Sequence, residues 1–337
     1  MNLCCLIYGA EKHYLDHLAP LASLLEIPLL VTEISIETLA KKYYPDVSVQ
    51  YYPPIEMEES VVQHFEVVIS CLPKVLFDSL FLIPETLHQK KLINVWCPHG
   101  NSDKGHKSYF MEELANEKWM FVYGKQMIDV LKKKNAFDQI ENYFYLGNFR
   151  HQYFLNHIKF YQEIVKREII QNLCPNARTL LYAPTWDDCE KNSSFSSSIS
   201  TIIDAVPNHW NLIIKPHPNT SHTIISHKKN ILILDDFPPI YPLLDFVDVY
   251  LGDMSSIGYD FLTFRKPLFF LHPDNHHPLF KCGTIIPSRN LANIFKIIDQ
   301  TNATSFIKIQ ELMYDNLFEP NANPRKIYDA CSRPCPL

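Results

Sequence analysis

Residues 247–264 read VDVYLGDMSSIGYDFLTF. The largely apolar run from Val247 to Leu251 stops at Gly252 and Asp253, and Ser255 and Ser256 follow where a helix should begin. Tyr259, Asp260 and Phe261 then fall on the first turns of that helix. A strand this short and this apolar is buried on both faces, as strands are in parallel sheets sandwiched between helices. Serine hydroxyls and free backbone N–H groups at a helix start, with the dipole behind them, suit an anion. A plain N-cap is the simpler alternative.

The same strand, polar turn and helix rhythm recurs on either side. Before Arg150 it appears as LCCLIYG, IPLLVTE, FEVVISCL, LINVWC, WMFVYG and NYFYLG; afterwards as TLLYAPT, WNLIIKPHP, ILILDD and KPLFFLHP. Between the two series lies HQYFLNHIKFYQEIVKREIIQNL, a polar and aromatic stretch that predicts one connecting helix. The expected fold class is α/β, two Rossmann-like domains with parallel sheets. Its expected boundaries are a first domain over residues 1–152, a linker helix over 153–177 and a second domain over 178–337. Residues 190–198, EKNSSFSSS, predict a surface loop. The tail EPNANPRKIYDACSRPCPL is expected to trail over the surface, with residues 307–317 a candidate for a last helix crossing back to the first domain.

The totals narrow the function. With 337 residues, 47% of them hydrophobic and 20% charged, the chain can bury two cores. A net charge of -6 offers no basic face for nucleic acid, so no nucleic-acid partner is expected. The nine cysteines form no CxxC pair and fit free thiols in a reducing, cytoplasmic setting. The start carries no signal-peptide pattern, and no run approaches the ~18 apolar residues of a membrane span. The eight glycines make no GxGxxG, which disfavours a dinucleotide cofactor; none is expected.

In open α/β sheets, ligands bind beyond the carboxyl ends of the strands. Residues just past the strands here include His99, Lys104, Arg150, Thr185, Asp187, Asp188, Lys215, His217, Asp253, Ser255 and Ser256. In LIIKPHP, Pro216 and Pro218 bracket His217 and keep it extended beside Lys215, a pairing suited to an anionic ligand. In NVWCPHGNSDKG, residues 94–105, a strand runs directly into His99 and Gly100. The adjacent acids Asp187 and Asp188 lack a third ligand, and the histidines of LHPDNHHP, residues 271–278, lack tetrahedral spacing, so no metal is assigned.

YAPTW (182–186), KPHP (215–218) and GDMSSIGYDF (252–261) followed by RKPLFF (265–270) resemble the second domain of the CDP-glycerol glycerophosphotransferase family, which primes and polymerises teichoic acids. HGNSDKG and LGNFRHQ stand where that family has a His-Gly and a Gly-x-Pro-Arg motif, and the similarity spans roughly Val95 to Leu271. The resemblance implies a GT-B architecture, two Rossmann-like domains facing across a cleft with the nucleotide held mainly by the second. It implies His99 as catalytic base and His217 as a second essential histidine near the transferred phosphate. Lys215, Asp253, Ser255, Ser256, Asp260, Thr185, Arg150 and Lys104 would form the donor and phosphate set. The chain departs from the family pattern at Asn101 and Ser102, at Asp187, and at Phe149 and Gln152, changes that bear on donor and acceptor more than on fold.

The expected activity is transfer of a polyol phosphate from a CDP-linked donor to a hydroxyl of a surface-polymer, glycan or lipid-linked acceptor. The expected place is the cytoplasm, open to peripheral contact with the inner face of the membrane through the basic surface of LKKKNAF and FYQEIVKREIIQNL. Two alternatives stand beside it: a GT-B glycosyltransferase using a CMP-sugar or another nucleotide-sugar, and a non-catalytic relative that only holds a nucleotide.

Overall fold

The computed structural model describes residues 1–101, 112–186, 193–218, 220, 228–271 and 277–331. The chain divides into two compact units: one takes residues up to Asn156 and again from Asn316, the other His157–Asp315.

In the first unit the elements are β1 (Leu3–Ile7), α1 (Lys12–Leu25), β2 (Leu29–Val31), α2 (Ile34–Tyr43), β3 (Val49–Tyr51), α3 (Pro54–His64), β4 (Val67–Ser70), α4 (Lys74–Leu87), β5 (Ile93–Trp96), β6 (Trp119–Val122), α5 (Lys125–Lys133), β7 (Asn142–Tyr145) and α6 (Phe149–Asn156). Strands and α-helices alternate, except between β5 and β6, where the described residues hold only a 3-10 segment, Glu112–Asn116. All neighbouring strands pair in parallel, in the order β3-β2-β1-β4-β5-β6-β7. Parallel neighbours need a crossover, and the right-handed preference sends outward steps in opposite directions to opposite faces of the sheet. One face packs Cys4, Leu6, Leu30 and Val68 against Val61 and Val62 of α3 and Phe77 and Phe81 of α4. Each such side chain contributes about 1.5–3 kcal/mol relative to exposure.

The second unit repeats the plan. It contains α7 (Ile158–Glu168), β8 (Arg178–Tyr182), α8 (Phe195–Ala205), β9 (Trp210–Ile214), β10 (Ile231–Ile233), α9 (Ile240–Phe246), β11 (Val249–Gly252), α10 (Ile257–Phe261), β12 (Leu268–Phe270), β13 (Thr284–Ile285), α11 (Ile294–Gln300) and most of α12 (Ile307–Leu317). Its parallel sheet runs β10-β9-β8-β11-β12-β13. Both sheets therefore reverse their strand order once, between β1 and β4 and between β8 and β11, and such reversals open a crevice beyond the strand ends.

Four expectations change, the first being that residues 195–198 of the expected surface loop open α8, with Phe195 and Ser198 buried. The single linker helix is two helices: α6 packs Phe149, Tyr153 and Phe154 in the first unit, the chain turns at His157, and α7 buries Tyr161, Ile164 and Val165 in the second. The apolar period runs through the turn unbroken, so the break comes from the two cores rather than from local propensity. Accordingly the second unit begins at His157, before the expected boundary.

Residues 319–331 of the tail do not trail. Glu319 donates its backbone N–H to the Tyr123 carbonyl, α13 (Lys326–Cys331) buries Ile327, and the Tyr328 hydroxyl donates to the Leu25 carbonyl at 2.6 Å. Residues 307–317 do form a helix, but Gln310 holds α12 to the carbonyls of Lys266 and Cys282, and the return to the first unit follows Asp315.

Glycine is required where the returning segment passes. A Cβ on Gly124 would collide with the Leu317 carbonyl, and one on Gly147, whose φ is 55°, with the Glu319 carbonyl. Gly124→Ala is expected to cost about 1–3 kcal/mol by overpacking, read as a lower midpoint in urea denaturation.

Candidate active site

Each unit gathers its chemistry at the carboxyl ends of its strands. In the first, Pro98, His99 and Gly100 leave β5, and the first turn of α1, just past β1, brings His13 and Tyr14 to the same place. The His99 ring lies 5.5 Å from that of His13 and 4.9 Å from that of Tyr14, centroid to centroid. Burial pushes the His13 imidazole down from 6.5 to about 4, so it is neutral at pH 7. The Tyr14 phenol is pushed up by burial, with Cys71 and Glu11 adding to the effect.

One turn further along α1, His17 is fully enclosed, 6% exposed. Burial holds its pKa well below 6.5, reinforced by Arg150, His99 and His13. Its Nδ1 lies 2.9 Å from the Tyr123 hydroxyl at the end of β6. That hydroxyl donates to the Pro98 carbonyl at 3.1 Å and accepts the Gly100 N–H at 3.2 Å, so it grips the backbone on both sides of His99.

Arg150 does not stand ready for phosphate. Its guanidinium is buried and donates to Asp16 Oδ2 at 2.9 Å, while Tyr44 donates to Asp16 Oδ1 at 3.0 Å. A buried ion pair of this kind is costly to break, because the surviving charge would lose its partner. The arginine therefore braces α1 against α6.

In the second unit Asp253, entirely buried past β11, organises the loops. It accepts the Thr185 and Ser194 N–H groups and the Ser194 hydroxyl, each at 2.8 Å, tying the loop after β8 to the start of α8. The Tyr182 hydroxyl lies 2.9 Å from Ser194 Oγ. The buried Tyr250 phenol donates to the Ala183 carbonyl at 3.2 Å and is bonded by Ser255.

Around this frame stand the remaining candidates. Lys215, past β9, donates to the Phe237 carbonyl at 2.8 Å. His217 is half-buried, its ring 6.1 Å from that of Trp186, which is 38% exposed past β8. Ser256 begins α10 without a capping hydrogen bond from its side chain, and α10 is a single short turn-and-a-half that passes into a 3-10 segment, Leu262–Phe264. Asp260 turns inward, accepting the Tyr241 hydroxyl at 3.2 Å, and is 2% exposed, so it holds α10 to α9 rather than facing a ligand. Lys104, Asp187, Asp188 and residues 272–276 lie outside the described residues. Among the described residues no group of three or more His, Cys, Asp or Glu could hold a metal, and no helix is long and apolar enough to cross a membrane.

Residues 102–281 match the family model of CDP-glycerol:poly(glycerophosphate) glycerophosphotransferase, more than half of the chain. The chain belongs to this family. A teichoic acid poly(glycerol phosphate) polymerase from Bacillus spizizenii is 24% identical over 197 residues, 55% of this chain and 49% of that protein, so the match spans about half the relative's length. The wall teichoic acid polymerase TagF shares the fold with a TM-score of 0.67 over 98% of this chain and 86% of that one, at 14% identity. The UDP-GlcNAc 2-epimerase from Neisseria meningitidis, solved with UDP-GlcNAc, gives 0.59 over 98% and 99% at 12% identity. This glycerophosphotransferase-family chain thus has two Rossmann-like domains of the GT-B kind. The matched stretch contains the Thr185, His217 and Asp253 loops, and His99 lies just ahead of it.

His13, Tyr14, Asp16, His17 and Tyr123 escaped the sequence reading. EKHYLDH places His13 and His17 four apart on the helix that follows the first strand, which was the available signal. The depressed histidines also set a pH dependence. Their folded pKa values lie below 6.5, so the unfolded chain binds the extra protons, and stability falls as pH drops below about 6.5 toward 4. His13 alone accounts for about 2–3 kcal/mol over that window, from ~1.4 kcal/mol per pKa unit. Denaturation between pH 7 and 4.5 should show this slope, and His13→Gln should flatten it.

Proposed function

We propose that this chain transfers a polyol phosphate, glycerol phosphate foremost, from a CDP-linked donor to an acceptor hydroxyl, with His99 as general base. The observation that carries the reading is the family match across the very loops that the second unit collects at its β8, β9 and β11 ends. A histidine variant of TagF has been soaked with CDPG and shares the fold at a TM-score of 0.64. That supports a cytidine diphosphate donor here.

The division of labour follows the chemistry of each unit. The second unit holds the donor: Lys215 and His217 meet phosphate charge, Ser255 and Ser256 offer hydroxyls, and Asp253 fixes the loop that carries Thr185. Arg150, whose buried charge is paired with Asp16, and Asp260, a buried carboxylate that would repel phosphate, are left out of the donor set. The first unit handles the acceptor. His99 takes the proton from the acceptor hydroxyl as its oxygen bonds to the phosphorus that bears glycerol; the bond to the bridging oxygen breaks, and CMP leaves with the electron pair. Because His13 is neutral at pH 7, no second cation at 5.5 Å opposes proton uptake by His99. A positioned base of this kind supplies about 10²–10⁴-fold, and preorganised charge around the phosphates supplies most of the rest.

A ligand panel and one substitution test the reading. CMP and CDP-glycerol at about 100 Kd should stabilise the protein by ~2.7 kcal/mol, a rise of a few degrees in Tm, whereas UDP-sugars should leave it unmoved. Stabilisation by UDP compounds alone would favour a nucleotide-sugar enzyme. His99→Ala should lower kcat by about 10²–10⁴-fold with donor affinity retained; unchanged turnover would remove the base from His99.

A further inference from the structure

We propose that Tyr123 and His17 are the positioning residues for His99, acting through a single shared hydroxyl. The inference rests on the assignment of His99 as base and adds the device that aims it.

A phenol has one proton to give and two lone pairs to receive. The Pro98 carbonyl can only accept, so the Tyr123 proton goes there; the Gly100 N–H can only donate, so it fills one lone pair. His17 Nδ1, 2.9 Å away, must therefore be the donor to the other lone pair. Burial keeps His17 neutral, so its one ring proton sits on Nδ1 and the tautomer is fixed. The carbonyl before His99 and the N–H after it are thus held by one atom, which fixes the backbone from which the imidazole projects.

The phenol is itself clamped from several sides. Its ring stacks on Phe149 at 6.2 Å and meets Phe318 edge-on at 6.0 Å, and its backbone carbonyl accepts N–H groups from Gly147 and Glu319. Asp16, next to His17 on α1, is anchored by Arg150 and Tyr44. Buried polar groups left without partners are expensive, so each of these bonds resists breaking. Misplacing a catalytic group by about 1 Å can cost ~10²-fold, so rigidity here has kinetic value.

Steady-state kinetics on the full-length chain test this, with CDP-glycerol as donor. Tyr123→Phe keeps the ring contacts and removes all three hydrogen bonds; it should lower kcat by about 10–100-fold with KM for CDP-glycerol unchanged, because the donor residues sit in the other unit. His17→Leu should lose a similar factor, and His17→Asn, whose side-chain amide N–H replaces Nδ1–H, should recover most of it. Long-range ¹H–¹⁵N spectra of the histidine rings give a readout independent of turnover: His17 should show the Nδ1–H tautomer and still be neutral at pH 6.5. Retained kcat in both Tyr123→Phe and His17→Leu, or an Nε2–H tautomer for His17, would overturn the proposal. Should those variants be fully active while His99→Ala is dead, the base assignment survives and only the positioning role falls; an active His99→Ala would remove the base itself.

Discussion

Parallel pairing is the constraint on which this molecule rests. When every strand of a sheet points the same way, every turn after a strand emerges on the same edge, however far apart the residues lie in sequence. In the first unit that edge collects His13 and His17 from beyond β1, His99 from beyond β5 and Tyr123 from the end of β6. In the second it collects Thr185 and Trp186, Lys215 and His217, and Asp253 with the two serines. No glycine-rich fingerprint is needed, because the strand ends themselves do the gathering.

Each edge is then made rigid by one buried oxygen-bearing group with several partners. Asp253 takes three donors from the loops around β8 and α8; Tyr123 serves two backbone groups and an imidazole. In the first unit the organiser, Tyr123, is buried while His99, whose flanking backbone it holds, is half-buried. Reactive groups on loops positioned by a rigid scaffold are the usual arrangement in α/β enzymes.

Much of this plan was legible in the sequence, and the misses are physical. The long apolar strands announced themselves, but Val49–Tyr51 and Thr284–Ile285 did not: both are short edge strands with half-exposed side chains and little apolar signal. The linker was misread because the helical period runs through His157 without a proline or glycine to mark the turn. Arg150 looked like a phosphate ligand because sequence shows its charge and not its partner, Asp16, far away along the chain. His99, His217 and Asp253 stand out in the sequence because each follows an obvious strand, whereas His13, His17 and Tyr123 lie inside helix and strand patterns that read as packing.

The central claim is that bond cleavage occurs at phosphorus, on a cytidine diphosphate donor, with the polyol phosphate moving as a unit. Product analysis with CDP-glycerol labelled in the phosphate next to glycerol, and a hydroxyl-terminated glycerol phosphate acceptor, addresses it most directly. The account predicts CMP released one for one with label joined to the acceptor. Release of CDP with the label retained on the nucleotide, or turnover of UDP-linked donors with none of CDP-glycerol, would contradict it.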